Sequence, residues 1–340
     1  MLPPIYCNIE NLIGMLLIIA EASCDGQPKF RGRGMSRPAL AASRAIDILN
    51  FMAAHPTEAF SLSELVEHLE VNFASCHAIL TVLTKDGFLE RHPKHRTYSL
   101  GPALVAIGHA ALETHPAIDI ARDEARELAQ QLDLEVLLTA RTGGDLIALA
   151  RAGRHVAPNA ALQVGQRMPL VPPLGAPFIA WAPDTQVRQW LAQAPENARD
   201  PAPYLRLLSL IRDRGYAVTL QNPVRARLGE VVAGLSDSPN ETRLRHRMTS
   251  LIAEMGLDIY HLAAIDPAQS YEVGMLSAPI FNVHGHAAFT LSLQGFKEAL
   301  AADAIQELAE RLMTSCLMVT RKSNGRVPSL DTKQSKGGRG

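Results

Sequence analysis

The stretch Ser61–Leu100, SLSELVEHLEVNFASCHAILTVLTKDGFLERHPKHRTYSL, sets the reading of everything around it. Leu62, Leu65 and Leu69 recur at helical spacing, and Ser61 followed three residues later by Glu64 is a capping-box signature. Asn72 is a good cap for a second helix from Phe73 to Lys85, on which Ile79, Val82 and Leu83 form the expected buried stripe. That register leaves Ser75, Cys76, His77 and Thr81 on other faces. Asp86-Gly87 supplies the stop, because glycine tolerates the left-handed conformation that ends helices. Phe88–Arg91 and Thr97–Leu100 then read as paired strands around the tip His92-Pro93-Lys94-His95-Arg96. Two short helices, a tight turn and a hairpin outline a winged helix-turn-helix, a module that reads DNA. A small helical subdomain that only packs is the alternative.

Upstream, Ser43–Met52 is an amphipathic helix with Ile46, Leu49 and Ala53 expected inward, ended by His55-Pro56. The first 34 residues differ in character from the chain beyond Met35. Their apolar run, Leu12 to Ala20, is too short to span a bilayer, and Glu10 rather than a basic residue precedes it, so it makes a poor signal peptide. Met35 reads as the start, with residues 1–34 a disordered or over-extended leader.

Downstream, Gly101-Pro102 breaks the strand and opens a helix with Leu104, Ile107 and Leu112 as apolar positions. Pro116 interrupts it, and a second helix runs through Leu128 and Leu132. Such a connection holds a head at a defined distance from a body, or is an ordinary domain helix. Strands are expected at Glu135–Arg141 and Leu146–Arg151, joined by a Thr-Gly-Gly-Asp turn, and at Leu162–Leu170. Pro172-Pro173-Leu174-Gly175 leads into a helix through Trp181. Helices near Thr185–Gln193 and Tyr204–Arg214 precede a strand at Tyr216–Leu220. Strands at Tyr271–Phe281 and Ala287–Gly295 flank an Asn-Val-His-Gly-His turn, and a closing helix spans Ala301–Thr320. A mixed sheet with helices on it, behind a small helical head, is an α+β architecture.

At 340 residues, two folding units plus tails are the natural division; 47% hydrophobic and 20% charged residues fit a soluble globular class. A net charge of −1 says nothing about partners, so nucleic-acid affinity must come from local patches. Cys7, Cys24, Cys76 and Cys316 show neither metal spacing nor a disulfide framework, which suits a reducing cytoplasm.

With these elements in place the chain resembles the IclR family of bacterial transcriptional regulators. The match is carried by Ser43–Leu49, Phe88–Arg91 with Tyr98–Gly101, Ile211–Val218, Pro172–Ala176 and Leu291–Gly295, spread across residues 37–321. The resemblance implies a winged helix-turn-helix over 35–101, a linker helix over 102–115, and a GAF-like effector domain over 116–321. It also implies dimers, often paired into tetramers, on operator DNA, with no membrane partner and no cofactor. A leader (1–34) and a disordered basic tail (322–340) complete the expected organisation.

Candidate DNA contacts are Ser61, Phe73, Ala74, Ser75, His77 and Thr81 from the helices, and His92, Lys94, His95, Arg96 and Tyr98 from the wing. The family usually offers a cation near the start of the recognition helix and an Arg after its His; Phe73 and Ala78 stand there instead. Over residues 35–115 six basic side chains face eight acidic ones, so phosphate affinity falls to the wing. Protonation of His92 and His95 is expected to add charge beside phosphates.

For a small organic acid or aromatic effector, the resemblance points to Gly175, Ala176, Met275, Ser277, Ser292 and Gln294. Ser292 and Gln294 lie two apart on a strand and share a face. Met275 stands where the family has Cys, which favours a bulkier or more apolar ligand, or it is ordinary core filler. Arg141 and Arg151 flank the strands, either beside the pocket or as mere surface charges. Between Gln221 and Tyr271 roughly fifty residues intervene where the family runs on briefly. Leu244, Met248, Leu251 and Met255 give one helix of this insertion (about 222–270) a narrow apolar seam. It docks on its own domain, covers the pocket or meets another subunit.

Two other functions remain open. A ligand-sensing or interaction module with a degenerate head is one, kept alive by the missing cations. An enzyme is the other, but His284 and His286 without a carboxylate or cysteine cluster make a weak metal signal, and no nucleophile elbow or phosphate loop occurs.

Overall fold

The computed structural model describes residues 39–153 and 162–328. The expected leader and residues 329–340 of the expected tail lie outside the described residues. The chain divides into two units, Met1–Leu40 and Ala41–Gly340; of the first, only Ala39 and Leu40 are described.

The head begins with α1 (Leu40–Ala54). Its buried positions are Ile48, Phe51 and Met52, whereas Ile46, expected inward, is 55% exposed. Strand β1 (Phe60–Ser61) leads into α2 (Leu62–Leu69), capped as expected: Glu64 N–H donates to Ser61 Oγ and Ser61 N–H to Glu64 Oε2. Glu70 then turns left-handed, and Asn72 Oδ1 accepts from Ser75 N–H to cap α3 (Phe73–Lys85). On α3 the buried stripe is Cys76, Leu80 and Leu83, while Val82 is 58% exposed. The expected stripe of 79, 82 and 83 counted only aliphatics; the small apolar thiol of Cys76 shifts the face by one position. Strands β2 (Leu89–Arg91) and β3 (Thr97–Leu100) form the wing, and β3 also pairs with β1.

Pro102–Thr114 forms α4, on which no residue is buried: Val105 is 74% exposed and Ile107 52%. After the Pro116 break, α5 (Pro116–Leu132) enters the body. There β4 (Glu135–Thr142), β5 (Asp145–Ala152), β6 (Arg167–Pro169), β7 (Ala217–Leu220), β9 (Val273–Phe281) and β10 (Ala287–Gln294) make an antiparallel sheet in the order β6-β5-β4-β10-β9-β7. Only three residues of the expected 162–170 strand pair. Between β6 and β7 lie α6 (Ala176–Ile179), α7 (Asp184–Leu191) and α8 (Pro201–Arg214). The segment after β7 folds as α9 (Pro223–Asp237), α10 (Thr242–Glu254) and α11 (Leu257–Tyr260), and the short β8 (Ser270–Tyr271) pairs with β11 (Leu300–Ala301). The closing helix is α12 (Ala302–Lys322).

Strand alternation divides the sheet into two faces. Val136, Leu138, Leu276, Ala278, Leu291 and Leu293 pack beneath α5 and α12, against Ala121, Ala125, Leu128, Ile305, Leu312 and Cys316. The intervening residues point the other way and line a cavity. The apolar seam of α10 docks on its own domain: Leu251, Ile252 and Met255 are buried with Leu174, Leu228, Val231 and Val232. Residues 323–328, expected to be solvated tail, hold backbone contacts, Gly325 N–H to Thr320 O and Arg326 N–H to Asn282 O.

Candidate nucleic-acid interface and ligand pocket

Phe73, Ala74, His77 and Thr81 are exposed on α3, and Thr81 Oγ1 donates to His77 O one turn back. Ser75 is half-buried, its Oγ accepting from Arg44 Nη1 at 2.9 Å, so a cation of α1 reaches the start of α3. The side chain of Ser61 is engaged by its capping box. Tyr98 departs from expectation: at 5% exposure it belongs to the head's core, with the Arg91 guanidinium 5.7 Å from its ring centroid. Its place on β3, paired to both β1 and β2, turns the ring inward.

The wing tip is exposed from Arg91 to Arg96, and Arg96 has φ 57°. Nδ1 of His92 accepts from His95 N–H at 3.1 Å and from Lys94 N–H at 3.3 Å.

In the body, strand register brings three rungs together. Thr139 pairs Thr290; Leu137 pairs Ser292, which pairs Ser277; Glu135 pairs Gln294, which pairs Met275, which pairs Thr219. These residues, Glu135 excepted, border a cavity of about 100 Å³ with Leu146, Met168, Leu174 and Phe178 on the far wall and Arg225, Leu228, Gly229 and Val232 from α9. Cavities of this order take a ligand of a few heavy atoms to a single ring. Of the expected effector residues, Gly175, Met275, Ser277, Ser292 and Gln294 all line it. Ala176 does not: it is fully buried in the neighbouring cluster with Phe178 and Trp190. Gly175 has φ 75°, and a Cβ there would stand 2.2 Å from Leu170 Cδ1, so only glycine fits this wall.

The polar groups of the pocket are unequal. Ser277 Oγ and Ser292 Oγ are 2.8 Å apart and satisfy each other. Glu135 and Arg151 form a buried, two-pronged ion pair, with Arg151 Nη2 2.9 Å from Glu135 Oε2; Arg151 is therefore no surface charge. Gln294 Nε2 donates to Glu135 Oε1 at 3.0 Å, and its Oε1 accepts from Arg225 Nη2 at 3.3 Å. Arg225 Nη1 also donates to Gln221 Oε1 at 3.0 Å. Among the described residues no carboxylate lies within ion-pair distance of Arg225, and desolvation lowers its pKa. His261, on the same wall, donates from Nε2 to Pro173 O at 3.2 Å; its Nδ1 makes no hydrogen bond, and burial lowers its pKa to about 4, keeping it neutral. Burial raises the Tyr260 phenol.

Arg225, Tyr260 and His261 escaped sequence reasoning. Thr139 and Leu137 were findable, since they alternate with core residues on a strand already recognised. No periodic pattern pointed to Arg225. Among the described residues no group of three or more His, Cys, Asp or Glu side chains is arranged to hold a metal, and no helix is long and apolar enough to cross a membrane.

Residues 41–93 match the IclR helix-turn-helix domain. The Pca regulon regulatory protein of Pseudomonas putida is 25% identical over 226 residues, covering 59% of this chain and 76% of that protein. An IclR transcriptional regulator from Alicyclobacillus acidocaldarius superposes with a TM-score of 0.58 at 20% identity, covering 84% of this chain and 100% of that one. An IclR homologue from Microbacterium hydrocarbonoxydans, solved with 4-hydroxybenzoate, gives 0.55 at 16%, covering 83% and 100%. At these identities the two structures speak for the fold. A winged helix-turn-helix joined to a sheet domain with a ligand-sized cavity defines a one-component transcriptional regulator. Residues 41–93 are an IclR helix-turn-helix domain, and the chain as a whole is similar to IclR-type transcriptional regulators.

Proposed function

We propose that the body binds a small organic monoanion, an aromatic or short aliphatic carboxylate, and that this controls operator binding by the head. The observation that carries the ligand class is the charge balance at the cavity. Two guanidiniums, Arg151 and Arg225, face one carboxylate, Glu135, so the site holds one positive charge in excess while His261 is neutral. A desolvated cation without a counter-ion is costly, and a carboxylate arriving at Arg225 removes that cost. The apolar walls suit the ligand's body, and the 4-hydroxybenzoate of the Microbacterium relative is a monocarboxylate of this size. Thr139, Ser277, Ser292, Gln294 and the free Nδ1 of His261 then offer partners for a ring hydroxyl.

On the DNA side, α3 enters the major groove with Ser75, His77 and Thr81 toward base edges and phosphates, and Lys94, His95 and Arg96 of the wing lie on flanking phosphates. Phe73 and Ala74 make apolar contacts at the groove. The head comprises residues 35–101, the effector domain 116–321, and α4 between them carries self-association into dimers or tetramers, since its apolar side chains are uncovered in a single chain. A cytoplasmic, non-enzymatic protein fits this reading.

The test is thermal unfolding and calorimetric titration of the full chain with benzoate, 4-hydroxybenzoate and benzamide. The acids should raise Tm and the amide should not, and Arg225→Gln should abolish the difference. Equal binding of acid and amide overturns the ligand class. Selection of genomic fragments, with and without the acid, should yield a near-palindromic site whose occupancy the acid changes.

A further inference from the structure

Helix α9 has two functional ends. With 15 residues it is about 22 Å long. Its first ten residues border the cavity through Arg225, Leu228, Gly229 and Val232. Its last residue, Asp237, and the turn beyond it touch the head. His55 Nε2 lies 2.8 Å from Asp237 Oδ1, His68 Nδ1 donates to Asp237 O at 2.8 Å, and Asn240 Nδ2 donates to Leu69 O at 2.7 Å. Leu69 ends α2, immediately before the turn that aims α3. A second wall segment approaches the head nearby: a Cβ on Gly165 would lie 3.4 Å from Ala53 O, and Gln166 and Met168 line the cavity.

The chemistry of His55 makes this contact proton-dependent. Its other ring nitrogen, Nδ1, is 2.8 Å from Phe51 O, so both nitrogens face acceptors. A neutral imidazole has one N–H and serves one of them; only the imidazolium donates to both. The ionisable groups around it are Asp237 from α9 and His68 from α2, the latter facing Glu64; Glu58 lies in the following loop, and Arg245 of α10 faces Asp47 of α1. The only carboxylate bonded to His55 among the described residues is Asp237.

From this geometry we infer that the Asp237–Asn240 corner is a latch holding the helix-turn-helix against the body, closed when His55 is protonated, and that α9 carries pocket occupancy to it. The second half of the inference rests on the effector reading of the cavity; the first does not. Deprotonating His55 removes one of two bonds and the attraction to Asp237, loosening α2 without unfolding it. A ligand that draws Arg225 inward shifts α9 along its length and moves Asp237 relative to His55 and His68.

Hydrogen exchange on the full chain tests both halves. After correction for intrinsic rates, the amides of Leu65–Leu69 should exchange about tenfold faster at pH 8 than at pH 6, as expected for losing one charge-assisted bond. Asp237→Asn, nearly isosteric, should erase most of that pH difference. Asn240→Ala should speed exchange at both pH values and keep the ratio. An unchanged ratio in Asp237→Asn overturns the latch. Saturating 4-hydroxybenzoate, its binding verified by thermal shift, should change exchange at Leu65–Leu69 in the wild type and not in Asp237→Asn. Binding without that change overturns transmission through α9. Absence of binding refutes the effector reading alone, while the pH comparison still decides the latch.

Discussion

Arg225, Gln294, Glu135 and Arg151 form one chain of contacts in which Arg151 pairs directly with Glu135 and a single amide separates Arg225 from that carboxylate. Neutralising Glu135 leaves Arg151 buried without a counter-charge, held only by its bond to Gln163 Oε1, so Glu135→Gln should destabilise the body by about 3–5 kcal/mol in urea unfolding. The double change Glu135→Gln with Arg151→Met should recover much of that loss, because an apolar replacement removes the stranded charge. His261 adds a pH dependence of known sign. Its folded pKa of about 4 lies below the unfolded value near 6.5, so the unfolded chain binds the extra proton first. Stability is whole above pH 6.5 and falls as the pH drops toward 4, by roughly 2 kcal/mol at pH 5. His261→Gln should flatten that part of the urea-measured pH profile. None of these three residues was legible in the sequence as part of a site. Glu135 and Arg151 read as ordinary strand residues, and their pairing depends on the β4–β5 register, which one residue of slip reverses.

Single elements divide into those whose signals are local and those whose signals are not. The capping box at Ser61 and the Asn72 cap were readable because each depends on neighbours within four residues, and the wing because its strands pair residues no more than eleven apart. The inward faces of α1 and α3 were misread by one position each. Hydrophobicity alone ranks Val82 and Ile46 above Cys76, and only the partner surface decides which turns inward. The structure makes the distinction measurable: Leu80→Ala should cost the head about 2–5 kcal/mol, and Val82→Ala should change stability by less than about 0.5 kcal/mol. The sheet was readable from alternation on β4, β9 and β10, which also placed Ser292 and Gln294 on one face. The short β6 was overestimated: of Leu162–Leu170 only Arg167–Pro169 join the ladder, while Leu162, Gln166 and Met168 line the cavity.

For the molecule as a whole, the two-part organisation was legible from residue patterns, while the contact of head with body was not; it joins residues some 170–180 positions apart. The wing carries the cations that the recognition helix lacks. Lys94→Ala and Arg96→Ala should each weaken binding to all DNA sequences alike and lower the slope of log K against log salt by about 0.9. A mobility-shift series across salt checks this, and unchanged slopes would remove the wing from the contact surface. The segment between β7 and β9 has a further consequence for descent. Cavity-lining strand residues are fixed by register to the neighbouring strands. Arg225, Asp237 and Asn240 hang on an excursion that the sheet does not constrain. One recombination event replacing residues 222–270 would exchange together a cation of the cavity wall and the corner that bonds the head.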